Sequence, residues 1–112
     1  NSRIKDFFDV HYLAGHRGFE GPILAESIRR TFAKRGTPVP EEEPVGLTAT
    51  YWDDPARVVQ IRAFARRSGI QLSPEVASDI LPLLRAFLLP ILDDVRRGTD
   101  ELEAWPAGGP WR

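Results

Sequence analysis

Residues 73–98 read SPEVASDILPLLRAFLLPILDDVRRG, and their periodicity decides the fold. Val76, Ile80, Leu83, Leu84, Phe87, Ile91 and Val95 recur at helical spacing and trace one continuous stripe. Leu81, Leu88, Leu89 and Leu92 make the opposite side apolar as well. A helix that is apolar all round needs neighbours on every side, so this segment is expected at the centre of a bundle. Ser73-Pro74-Glu75 predicts its start and Gly98 its end. Pro82 and Pro90 each remove one backbone donor inside it.

The neighbours follow by the same logic. A first helix is expected over Ser2 to His16, with Ser2 as N-cap and Ile4, Phe7, His11 and Ala14 on its inner face, flanked by Phe8 and Val10. A second begins at Gly21-Pro22, carries Leu24, Ile28 and Phe32 inward, and stops at Gly36 before Pro38. Residues 37–47, TPVPEEEPVGL, are too rich in proline for regular structure and predict an extended, semi-rigid loop. Thr48 is placed to cap a short turn through Trp52. Asp54-Pro55 opens a further helix with Val58, Ile61, Phe64 and Ala65 inward, ended by Gly69. The tail AWPAGGPWR has turn chemistry and two tryptophans suited to docking on the bundle. No strand and no repeat is expected. The fold class is all-α, a small bundle of four to five helices with an irregular C-terminal tail.

Bulk composition narrows the function classes. A length of 112 residues suits one domain. A net charge of −1 gives no electrostatic argument for nucleic acid or membrane. The absence of cysteine removes a disulfide framework and thiolate-ligated metal. The longest hydrophobic run, DILPLLRAFLLPILDDV, is broken by Arg85 and two prolines and falls short of a transmembrane span. No secretory n-region and h-region open the chain, and a cytoplasmic location with no membrane partner is expected. The chain lacks methionine and starts on residues that already read as helix, which predicts a piece of a longer protein.

The chemistry-bearing candidate is KDFFD at residues 5–9. On a helix, Ser2, Lys5, Asp6, Asp9 and His16 share one polar face opposite Ile4, Phe7 and His11. Any solvated helix shows that pattern, so geometry alone leaves a surface ion pair and an active-site edge both open. His11 and His16 are about 140° apart in projection and cannot chelate one ion from one helix. His11 is read as half-buried and hydrogen-bonded. IRRTFAKRG and RAFARRSG, at residues 28–36 and 62–69, have the charge to hold phosphates of an RNA, or equally to complement two helix C-termini. No phosphate-binding glycine loop, serine nucleophile elbow or cysteine protease motif occurs.

Taken in order, IKDFFDV, PILAESIRRTFAKRGTPVP, LTATYWDDPARVVQIRAFARRSG, LRAFLLPIL and the closing WPAGGPW resemble the C-terminal region of the AbiEii-type nucleotidyltransferase toxins of type IV toxin–antitoxin systems. The resemblance spans essentially the whole chain and is most specific in the R-x-K-D-x-x-D start, FAKRGTPVP and the GGPW ending. It implies that residues 1–112 form the helical C-terminal domain of a larger abortive-infection protein. An N-terminal α/β domain would carry a glycine motif and the carboxylates for magnesium and a nucleoside triphosphate. Lys5, Asp6 and Asp9 match the family's Lys-Asp-x-x-Asp motif. The resemblance implies Lys5 near phosphate, and Asp6 and Asp9 facing the nucleotide or supporting the catalytic constellation. The implied reaction is transfer of a nucleotide to an RNA or protein acceptor. The chain alone, lacking the glycine motif and the metal carboxylates, is expected to be inert and to hold no cofactor. Two other readings stand beside this one. One is an interaction bundle that docks on an antitoxin or self-associates through apolar surface exposed where the N-terminal domain is missing. The other is a small RNA-binding bundle.

Overall fold

The computed structural model describes residues 2–112, and the side chains of residues 3–112. Five α-helices build it: α1 (Ser2–His16), α2 (Gly21–Arg35), α3 (Ala49–Asp53), α4 (Pro55–Arg67) and α5 (Val76–Arg97). A two-residue antiparallel pair, β1 (Phe19–Glu20) and β2 (Ala104–Trp105), joins the start of α2 to the tail. The fold is the expected small all-α bundle.

α5 is its centre. Val76, Ile80, Leu81, Leu84, Phe87, Ile91 and Val95 are buried against α1, α2 and α3. Burial is not complete around the helix, because Ser78, Pro82 and Ala86 stay exposed on one side. That open side explains how two prolines are tolerated within the helix. Pro82 and Pro90 leave the carbonyls of Ser78 and Ala86 without their helical donors, and both residues face water.

Caps behave as their chemistry dictates. The Asp54 carboxylate accepts from the Arg57 N–H at 3.0 Å, and the Thr48 hydroxyl accepts from the Tyr51 N–H at 3.4 Å. Gly36 and Gly98 close α2 and α5 in the left-handed conformation, at φ 64° and 71°. Three expectations are corrected. Ser73-Pro74-Glu75 precede α5, which starts at Val76. They form a turn instead, in which the Ser73 hydroxyl accepts from the Glu75 N–H and Asp79 accepts from the Ser73 N–H. Residues 37–47 are not irregular throughout, since Val45–Leu47 makes one 3-10 turn. It persists because the Gly46 carbonyl accepts from the Trp52 indole at 2.8 Å and the Leu47 carbonyl from Arg85 at 2.6 Å. The β1–β2 pair was not expected either, because two residues carry no alternation to read. The N-cap reading of Ser2 concerns a side chain outside the described residues.

The tail is a structural element. The Trp105 indole and the Gly108 N–H both donate to the Ala14 carbonyl at 2.8 Å. Ala14 lies in the last turn of α1, where carbonyls lack helical partners, so the tail caps α1 from a distance. Trp111 stacks on Phe87, with centroids 5.8 Å apart, and donates to the Phe87 carbonyl. At the end of α5 the buried carboxylate of Asp94 accepts from the Thr99 hydroxyl and the Leu102 N–H. Arg29 of α2 reaches the carbonyls of Asp94 and Thr99. No helix among the described residues is long and apolar enough to cross a membrane.

Candidate functional site

The two phenylalanines of KDFFD fix the orientation of its charges. Phe7 meets Tyr51 and Trp52 edge-on, each at 5.6 Å between centroids. Phe8 is buried against Trp52 and against Phe64, at 6.4 and 5.2 Å. Gly46 lies directly under the Phe7 ring, where a Cβ would collide with it. The 3-10 turn, α3 and α4 therefore clamp the inner side of α1. Its rotation about its own axis is set, and with it the direction of the opposite face.

That opposite face carries Lys5, Asp6 and Asp9, all exposed. Lys5 Nζ and Asp9 Oδ2 are 2.6 Å apart. The hydrogen bond to Asp9 and then the Asp9 charge hold the ammonium above its usual pKa, opposed by desolvation and assisted by a lesser effect of the Asp6 charge. Lys5 is thus a fixed positive charge, tethered by a solvent-screened contact that a stronger anion displaces at little cost. His16, placed on this face by sequence, is exposed and stacks on Tyr12 at 4.2 Å and 16° between ring planes. Its Nδ1 lies 2.9 Å from the Tyr12 carbonyl. Tyr12 follows Lys5 by seven residues and so lies on the same stripe of α1.

Magnesium needs several oxygens converging on one point. Asp6 and Asp9 are three residues apart, and Asp9 already holds Lys5. Among the described residues, no group of three or more His, Cys, Asp or Glu is arranged to hold a metal. KDFFD therefore does not form a metal site from these side chains.

The other candidates take different roles. His11 is half-buried, as read from sequence. Burial lowers its pKa from 6.5, opposed by a hydrogen bond to the Asp79 backbone and by the Asp79 charge, and assisted by the charge of His16. The folded chain therefore binds the His11 proton less readily than the unfolded one, and stability falls as pH drops through about 6.5. The thermal midpoint is expected to decline between about pH 7.5 and 5.5, and His11→Gln to flatten that decline. A wild-type profile that is flat over this window would contradict the assignment.

Of the basic clusters, Arg29 is held by backbone carbonyls of residues 94 and 99 and by Asp100, and Arg62 by the carbonyls of Ser73 and Pro74. Arg30 pairs with Glu26 at 3.0 Å. A cleft of about 710 Å³ opens behind the aromatic clamp, between α3, α4 and the start of α5, where Trp52, Glu75 and Arg85 line it. It does not include the KDFFD face.

The family described as nucleotidyl transferase AbiEii toxin, type IV toxin–antitoxin system, matches residues 1–95. The match takes in KDFFD, its aromatic clamp and nearly all of α5. No curated protein and no solved structure matches the chain.

Proposed function

The chain belongs to the AbiEii nucleotidyl transferase toxin family, and from that premise we propose that it is the helical domain of an enzyme that transfers a nucleotide from a nucleoside triphosphate to an RNA or protein acceptor. The observation that carries the reading is the exposed Lys5, Asp6 and Asp9 on a helix whose rotation is clamped from behind. Charges held without reorganisation are what phosphoryl and nucleotidyl transfer require, because such reactions depend on positioning and charge neutralisation. Lys5 supplies a permanent cation for the triphosphate. Asp9 tethers it in the free chain, and Asp6 and Asp9 face the nucleotide or support the catalytic constellation beside it.

The magnesium-binding carboxylates and the glycine motif belong, in this reading, to a catalytic domain that packs over the Lys5–Asp9 face. The bundle alone then lacks activity, and joining the two domains completes the site. The family's toxin–antitoxin context supplies an antitoxin partner and a cellular readout.

Expression of the full-length protein in a bacterial host is expected to arrest growth, and Asp6→Ala and Asp9→Ala are each expected to relieve the arrest at equal protein levels. Arrest that persists in both variants would remove this face from the site.

A further inference from the structure

Tyr12 is out of place for an aromatic residue in this chain. Its relative exposure is 55%, and it is the only aromatic among the large exposed hydrophobic residues described. The other described phenylalanine, tyrosine and tryptophan side chains are buried or half-buried. The Tyr12 ring is also fixed. His16 stacks on it at 4.2 Å and 16°, with its own ring nitrogen 2.9 Å from the Tyr12 carbonyl. His16, one turn C-terminal to Tyr12, covers one face of the ring.

Seven residues separate Lys5 from Tyr12. At 100° per residue they fall within about 20° of one another around the helix, and about 10 Å apart along its axis. That is the span of an extended nucleoside triphosphate from its phosphates to its base. An exposed, pre-oriented aromatic face at that distance from a phosphate-holding cation is the arrangement on which bases stack.

We propose that Tyr12, backed by His16, is the platform on which the nucleobase of the donor triphosphate stacks while its phosphates lie over Lys5. The proposal rests on the nucleotide assignment of the Lys5–Asp9 face. Every base has a π face, so the platform accepts purines and pyrimidines alike and sets affinity more than identity.

The test is equilibrium binding by the full-length protein, with magnesium, of a nucleoside triphosphate and of inorganic tripolyphosphate, which has no base to stack. Tyr12→Ala is expected to weaken nucleotide binding about tenfold or more and leave tripolyphosphate binding unchanged. Tyr12→Phe, which keeps the ring, is expected to bind both as the wild type does. Unchanged nucleotide binding in Tyr12→Ala would overturn the platform. So would an equal loss for both ligands, which marks a packing role against the neighbouring domain. Lys5→Met separates the platform from the reading beneath it. If Lys5→Met loses tripolyphosphate while Tyr12→Ala keeps nucleotide, the platform alone is overturned. If Lys5→Met binds tripolyphosphate as the wild type does, the nucleotide assignment of the face is overturned, and the platform with it.

Discussion

Trp105→Ala is expected to destabilise the 112-residue chain by about 3–5 kcal/mol. The side chain is 1% exposed and packs edge-on against Phe87 at 4.9 Å and beside Trp111 at 5.5 Å. Its indole also caps the Ala14 carbonyl at the end of α1. Removing it opens a large cavity and frees the tail from the only helix end it reaches through that indole. Against a typical stability of about 5–15 kcal/mol, the loss is a large fraction of the total. The thermal midpoint should fall by roughly 15 °C or more. Trp105→Phe keeps most of the volume and gives up the indole hydrogen bond, so its cost should be nearer 1–2 kcal/mol. A Trp105→Ala midpoint within about 2 °C of wild type would mean that the tail does not hold α1.

Asp6→Ala and Asp9→Ala should do the reverse, leaving stability intact and removing activity. Both carboxylates are exposed, and the apolar side of the helix is held by Phe7 and Phe8 without them. Their thermal midpoints are expected within about 2 °C of wild type. Nucleotide transfer by the full-length protein is expected to fall by about 100-fold or more, the scale on which misplaced charge at a reacting centre costs rate. Asp9→Ala has a second consequence, because Asp9 is the partner that tethers Lys5. With the carboxylate gone the ammonium loses the anion that competes with phosphate for it, so this variant should lose turnover while its nucleotide affinity stays at or above that of the wild type.

These two outcomes separate what residues reveal locally from what they do not. Asp54-Pro55, Gly36, Gly98 and the stripe from Val76 to Val95 are local signals of capping, chain reversal and periodicity, and the helices appear where they place them. Ser73-Pro74-Glu75 misled because the same residues also build a serine turn, and Asp79 stabilised that turn ahead of the helix. The 3-10 turn at Val45–Leu47 depends on Trp52 and on Arg85, up to 38 residues away, and has no period of its own. Docking of the tail spans 91 residues in the Trp105–Ala14 contact, so turn chemistry announced a tail without announcing its seat.

The polar face was legible from helical projection. Its separation from an ordinary solvated face was not, since opposed charged and apolar sides occur on most surface helices. The family match takes in that face, and the aromatic clamp of Phe7 and Phe8 gives a reason for its fixed direction. The exposure that sets Tyr12 apart is a tertiary quantity, which no local pattern carries.

Labelling by a nucleotide with a lysine-reactive acyl group on its terminal phosphate reads out whether nucleotide phosphates lie over Lys5. The chain has two lysines, Lys5 and Lys34, so Lys34 on α2 serves as an internal control. In the full-length protein with magnesium, Lys5 is expected to be acylated far faster than Lys34, and excess unmodified nucleoside triphosphate to protect Lys5 alone. Equal labelling of both lysines, or labelling of Lys5 that excess triphosphate does not suppress, would place the phosphates away from Lys5.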